Sequence, residues 1–484
     1  RINYLKGEFY MCGIVGYIGN KQVAPILVDG LKKLEYRGYD SAGIAVYNKN
    51  NSIRVIKTKG RLTALEEKLK PCTLDSTLGI GHTRWATHGE PNDVNSHPHT
   101  SQNGHIAVVH NGIIENYMQL KEFLQSKGYK FQSETDTEVI AQLVEYNFKG
   151  DLVKAVMNTL HDLEGSYALG VICTTCPNEF VAARKDSPLI VGLGENENFI
   201  ASDIPAILQY TRDIYILEDR EVVLIKQNDV CIYNLLGEKV EREVFHVDWD
   251  VASAEKGGYE HFMIKEIHEQ PRAIADTLGS ITVPGKNCYK IDLSSTKFTD
   301  DDIRDIDQIY IVACGSAYHV GVAAQYVFEE LSGIPVRCEL ASEFRYRTMP
   351  VSPKALVIII SQSGETADSL AALRSCKSKG IKTLAIVNVI GSSIAREADH
   401  VLYTLAGPEI SVATTKAYSA QLSATYVLAI KFASVRGAID SDKASALLDE
   451  VMTIPDKIGK ILDDKERIQW FASKLAGEKD IFFV

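Results

Sequence analysis

Residues 355–378 read Ala355-Leu-Val-Ile-Ile-Ile360, then Ser361-Gln-Ser-Gly-Glu-Thr366, then Ala367-Asp-Ser-Leu-Ala-Ala-Leu-Arg-Ser-Cys-Lys-Ser378. A short β-branched apolar run, a polar turn containing glycine and a longer periodic stretch predict strand, loop and helix. The same succession occurs at Gln308 to Ala313 followed by Ala317 to Leu331, and at Thr383 to Val389 followed by Ser392 to Ala398. Strand and helix alternating in this way predict a doubly wound parallel α/β sheet, whose ligands sit at the carboxyl ends of its strands.

Working towards the amino terminus, the pattern changes. Ile14 to Ile18, Ile44 to Tyr47, Ile53 to Lys57, Ile106 to His110, Tyr167 to Cys173, Phe180 to Arg184, Phe199 to Ser202 and Ile214 to Leu217 are short strand-like runs between Gly, Asn and Asp turns. Helical periodicity is confined to Val23 to Leu34, Asn116 to Lys127 and Thr137 to Phe148, so this half reads as stacked sheets with a few helices packed on them. Between the halves, Ser253-Ala-Glu-Lys-Gly-Gly258 reads as a linker. The 484 residues suit about three domains of ~150 each, and no solenoid-length repeat is visible.

With 45% hydrophobic and 24% charged residues, the composition excludes disordered, collagen-like and disulfide-scaffold classes. No run approaches the ~20 apolar residues of a membrane span. The 63 acidic against 52 basic residues give a net charge of -11, which argues against a nucleic-acid partner. Nine scattered cysteines, and a Cys173-Thr-Thr-Cys176 pair with no second pair, fit reduced thiols in a cytoplasm. The histidines between 82 and 110, His97-Pro-His99 included, lack metal-ligand spacing.

The termini carry their own expectations. Met11 followed by Cys12 reads as the true start, and residues 1–11 as a translated leader, because Lys6-Gly7-Glu8 back-translates to a ribosome-binding-like stretch. Lys479-Asp-Ile-Phe-Phe-Val484 reads as a charged turn entering a strand, hence as a chain that breaks off.

Cys12 heads Cys12-Gly-Ile-Val-Gly16. Freed of Met11, its own α-amine, with a pKa of ~7.7 to 8.0, could serve as base for its thiol; alternatively it is a buried strand cysteine. In Gly81-His-Thr-Arg-Trp-Ala-Thr-His-Gly89, Arg84 could clamp a carboxylate with two hydrogen bonds and Trp85 could close a pocket. His110-Asn-Gly112 ends an apolar strand, where the Asn111 amide and the Gly112 N–H could form an oxyanion hole. Ser133-Glu-Thr-Asp-Thr-Glu138 looks like a capping box, although Asp136 could hold a substrate ammonium. Farther on, Cys314-Gly-Ser-Ala317 and Ser361 to Thr366 both join a strand to a helix, offering N–H groups and hydroxyls to an anion. Neither is a Walker loop or GxGxxG, so a nucleotide is not indicated; one such turn alone is more commonly a helix N-cap, but two on successive strands favour a small sugar phosphate.

Cys12 to Gly16, Glu35-Tyr-Arg-Gly-Tyr-Asp-Ser-Ala-Gly43, His82 to Pro91, His110-Asn-Gly-Ile-Ile-Glu-Asn116 and Ser133 to Glu138, in that order, resemble the N-terminal-nucleophile glutaminase half of the glutamine–fructose-6-phosphate aminotransferase family. The resemblance runs from Met11 to the end of the chain. It implies an αββα glutaminase followed by a sugar isomerase domain, with Cys12 attacking the glutamine carboxamide and Asn111 and Gly112 stabilising the oxyanion. Arg84 and Asp136 would hold the α-carboxylate and α-amine, Trp85 would gate ammonia transfer, and Thr87 and His88 would line the pocket. Ser361, Gln362, Ser363 and Thr366 would hold the phosphate of fructose 6-phosphate, with Cys314, Gly315, Ser316 and Val412 in the same pocket. Ala317 departs from members with a hydroxyl there.

The domains implied are a class II glutamine amidotransferase over 12–252, a linker over 253–265, a first sugar isomerase domain over 266–440, and a connector and truncated second isomerase domain over 441–484. The family's isomerisation base would then lie beyond Val484, leaving glutaminase activity alone. L-Glutamine and fructose 6-phosphate are the implied substrates, with no cofactor, and the full-length enzyme would be a homodimer. Two alternatives stay open: another amidotransferase with the same glutaminase half, such as the phosphoribosylamine-forming one, and a non-catalytic sugar-phosphate sensor.

Overall fold

The computed structural model describes residues 12–35, 40–48, 50–84, 89–247, 257–285, 288–347 and 351–481. The chain divides into two compact units, Arg1–Val251 and Ala252–Val484.

In the first unit, period-two alternation sorts side chains to opposite faces of each strand and so builds layers. The strand Gly13–Ile18 turns Val15 and Tyr17 towards the helix Val23–Leu34, where they meet Leu27 and Leu31. Its Ile14 and Ile18 point the other way and share a core with Ala107 and Val109 of the strand Ile106–Ile114. That second strand in turn sends Ile106 and Val108 outward against Val139, Ile140, Val156 and Leu160 of the helices Thr137–Asn147 and Leu152–Asp162. Helix, sheet, sheet and helix therefore stack in that order, giving the αββα arrangement.

Among the described residues one sheet has eight strands and the other seven. In the larger, Gly13–Ile18 and Ser41–Asn48 flank the strand Leu78–Arg84, both antiparallel to it. Leu78–Arg84 is buried throughout, yet it is absent from the strands expected above; Gly79, Gly81 and its polar last three residues mute the β-propensity signal. The helices Leu62–Leu69 and Leu152–Asp162 also add to the few expected, the second begun by Asp151, whose side chain accepts from Lys154 N.

The second unit holds a five-stranded parallel sheet in the order Val336–Leu340, Gln308–Ala313, Ala355–Ser361, Lys382–Val387, His400–Tyr403. One face packs Ile309, Ile311, Ile358 and Ile386 against the helices Gly315–Ser332 and Lys416–Val435, while the other packs Tyr310, Val312, Val357 and Ile359 against Ala367–Ser378. The sheet is doubly wound. Chain order reverses between Gln308–Ala313 and Ala355–Ser361, so the crevice of such a sheet opens beyond the carboxyl ends of these two strands.

Of the linker expected from Ser253 to Gly258, only Gly257 and Gly258 lie within the described residues. The same holds for the leader: residues 1–11 lie outside them. Lys479 and Asp480 follow the exposed helix Lys465–Leu475 outside any strand, and residues 482–484 of the strand expected after them lie outside the described residues. No helix among the described residues is long and apolar enough to cross a membrane.

Candidate active site

Cys12 stands just before the strand Gly13–Ile18, and Gly13 pairs with Thr83, so Cys12 and Arg84 meet at the end of neighbouring strands. Two residues on, the backbone is pinned in both directions, since Ile14 N donates to Ser202 Oγ at 3.0 Å and Ser202 N donates to Ile14 O at 3.0 Å. Arg84 is buried and donates through Nη2 to Gly89 O at 3.2 Å. Burial pushes its guanidinium below the usual arginine range, while the nearby Asp40, Cys12 and Asp136 act in the opposite direction.

The opposing sheet supplies Asn111 and Gly112. Asn111 Nδ2 donates to the carbonyl of Cys12 at 2.7 Å. The strand does not end at His110 as expected; it continues to Ile114, with Gly112 paired to Tyr167 at a φ of +131°. Only glycine fits there, because a Cβ would lie 2.1 Å from Ser166 O. Sequence alternation missed the continuation because asparagine and glycine are poor strand formers, and nine consecutive pairs with Gly165–Cys173 override that preference.

Asp136 is buried at the start of the helix Thr137–Asn147 and accepts from Ile114 N at 2.9 Å. No capping box forms around it. Glu138 instead accepts from the Ser133 N–H and Oγ, both at 2.6 Å, closing the turn before the helix. Cys12, Arg84, Asn111, Gly112 and Asp136 are thus gathered at one end of the two sheets, whereas Trp85, Thr87 and His88 lie outside the described residues.

Four histidines pass behind this group. His82 stacks on His97 with centroids 4.1 Å apart, and His97 meets His99 edge-on at 4.9 Å. His110 Nδ1 is 2.9 Å from Thr137 Oγ1, and His99 Nε2 is 3.0 Å from Thr135 Oγ1. Burial pushes His82 down to about 3 and holds His97 and His99 well below the ordinary range, so these three rings are neutral at pH 7. Among the described residues no group of three or more His, Cys, Asp or Glu is placed to hold a metal ion. Lys57, which the sequence reading passed over, donates to Val94 O, Ser96 O and Pro98 O at 3.0, 2.6 and 3.2 Å and so holds the loop that carries the His97 ring.

In the second unit, Ala313 pairs with Ile360, so the turns after them leave the sheet side by side. Ser361 Oγ accepts from Gly364 N at 3.0 Å and lies 3.0 Å from Thr366 Oγ1. Ser363 Oγ accepts from Glu365 N at 3.2 Å, and Gln362 O accepts from Asn388 N at 3.2 Å. Gly364, at φ +65°, lies so close to Ser392 that a Cβ would fall 2.0 Å from its Oγ. Across the turns, Ser369 Oγ donates to Cys314 Sγ at 3.8 Å. Gly315 and Ser316 are exposed at the start of the helix Gly315–Ser332, and Ala317 is buried against the core. Val412 is 52% exposed on the loop after His400–Tyr403, and among the described contacts none joins it to Ser361 or Thr366.

Residues 82–209 match the glutamine amidotransferase domain family and residues 302–431 the SIS domain family. The glutamine–fructose-6-phosphate aminotransferases (isomerizing) of Caldanaerobacter subterraneus subsp. tengcongensis and Clostridium tetani are each 56% identical to this chain over 474 residues, 98% of this chain and 77% of theirs. Among solved structures, the C-terminal domain of glucosamine-fructose-6-phosphate aminotransferase from Francisella tularensis is 34% identical, with 46% of this chain and 62% of that chain covered at a TM-score of 0.44. With both domain families in the order the motifs require, and with that identity over almost its whole length, the chain belongs to the glutamine–fructose-6-phosphate aminotransferase (isomerizing) family.

Proposed function

We propose that, against the expectation of glutaminase activity alone, the chain transfers the amide nitrogen of L-glutamine to fructose 6-phosphate, giving glutamate and glucosamine 6-phosphate as its relatives' names describe, and that the first step takes place on Cys12. With Met11 removed, the Cys12 α-amine takes the thiol proton and Sγ attacks the γ-carboxamide carbon. The oxyanion then receives the Asn111 Nδ2–H and the Gly112 N–H. Arg84 and Asp136 hold the substrate's α-carboxylate and α-ammonium, and Trp85, as gate, and Thr87 and His88 serve the same glutamine site. The Cys12 α-ammonium returns that proton to the departing nitrogen, ammonia leaves as the oxyanion collapses to the thioester, and water then releases glutamate from Cys12.

The observation that carries this reading is the 2.7 Å hydrogen bond from Asn111 to Cys12, made beside a left-handed glycine and within a buried group that holds Arg84 and Asp136. The phosphate of the sugar rests on Ser361, Gln362, Ser363 and Thr366, with Cys314, Gly315, Ser316 and Val412 around it; helix-start N–H groups suit an anion without a dedicated cation. The test compares chains beginning at Cys12 with chains that keep residues 1–11. Only the former should release glutamate from glutamine, and equal hydrolysis by both would refute the amino-terminal base.

A further inference from the structure

We infer that His82 is a positioning residue for amide hydrolysis: it fixes which end of the Asn111 side chain faces Cys12. This rests on the reading of Asn111 as an oxyanion donor. His82 Nε2 lies 3.0 Å from His110 O and 3.0 Å from Asn111 Oδ1. A backbone carbonyl can only accept, so Nε2 carries the hydrogen and faces the carbonyl end of Asn111. A reversed amide would set its N–H2 against that N–H, donor against donor. His110 O therefore fixes the tautomer of His82, His82 fixes the amide of Asn111, and Nδ2 is left directed at Cys12.

The ring is built to hold this state. His82 is wholly buried, stacked on His97, and its Nδ1 has no hydrogen-bond partner among the described residues. A purely structural histidine would be expected to satisfy both nitrogens. Here the buried hydrogen-bonding capacity is spent on one nitrogen, the one that touches the second sheet at the oxyanion strand.

The experiment compares steady-state glutamine hydrolysis by chains beginning at Cys12 and carrying His82→Phe, His82→Gln, Asn111→Ala, or His82→Phe with Asn111→Ala. Phe fills the ring's space without its N–H, and Gln restores a donor. His82→Phe should lower kcat by about tenfold to a hundredfold, short of the ~10²–10³ lost on removing an oxyanion donor outright, with KM for glutamine little changed. His82→Gln should recover most of kcat, and the double variant should match Asn111→Ala alone. Unchanged kcat in His82→Phe, or a double variant slower than Asn111→Ala by the full single-variant factor, would overturn the inference. If Asn111→Ala itself keeps full kcat, the oxyanion reading fails instead. Should His82→Phe not fold, His82→Leu takes its place under the same criteria.

Discussion

Gly112→Ala should damage catalysis and weaken the fold together. The backbone at Gly112 has a φ of +131°, and a Cβ built there falls 2.1 Å from Ser166 O and 2.7 Å from its carbonyl carbon. Relief requires the strand Gly165–Cys173 to move away by more than about 1 Å, and the segment carrying Asn111 moves with it; a displacement of ~1 Å at a reacting group costs on the order of 10²-fold in rate. Left-handed strain of ~1–3 kcal/mol and overpacking of ~1–3 kcal/mol together predict a stability loss of about 2–6 kcal/mol, against a typical total of ~5–15. The variant should therefore fold with a lowered urea midpoint and show kcat for glutamate release down by about a hundredfold. Gly104→Ala separates the two causes, since Gly104 is also left-handed (φ +70°) but a Cβ there meets nothing within 4 Å. That control should lose only about 1 kcal/mol of stability and keep full kcat. If Gly112→Ala keeps kcat within about threefold of the parent and its midpoint is unchanged, position 112 tolerates a side chain and the close-approach argument is wrong.

Arg84→Lys should lower kcat/KM for glutamine by about tenfold to a hundredfold although the charge is kept, because one of two charge-assisted hydrogen bonds, worth ~1.5–3 kcal/mol, is lost; unchanged kcat and KM would place Arg84 outside the pocket. Ser361→Ala should weaken fructose 6-phosphate binding by about tenfold in calorimetry, on the scale of one hydrogen bond to a charged group, while glutaminase activity stays intact; equal affinity would remove Ser361 from the phosphate site. Acid should destabilise the first unit. His82, His97 and His99 stay neutral when folded but take up protons near pH ~6.5 when unfolded, so the unfolded chain binds more protons below that pH and stability falls as pH drops from there towards about 3, the value for His82. Each such proton contributes up to ~1.4 kcal/mol per pH unit, and urea midpoints that are flat between pH 7.5 and 5.5 would contradict it.

Strands and helices with clean periodicity were legible from the chain alone. Gln308–Ala313, Ala367–Ser378 and Val23–Leu34 have the bounds their patterns predict, because β-branched runs and i, i+3, i+4 apolar spacing are local properties. The candidate residues Cys12, Arg84, Asn111, Gly112 and Asp136 were equally visible, since their chemistry is written in side-chain type and in short motifs. The tertiary structure decided how they are held. Leu78–Arg84 is a strand because it is buried between two antiparallel neighbours, not because its glycines and polar residues favour extension. Glu138 closes a turn where a capping box was expected, because the Ser133 N–H and hydroxyl, five residues earlier, reach its carboxylate first. His82 meets Asn111 twenty-nine positions along the chain, across two sheets. No local pattern encodes such a contact: it exists only once long-range pairing has laid one sheet on the other, and that pairing settles which nitrogen of a histidine, and which end of an amide, faces the sulfur-bearing residue.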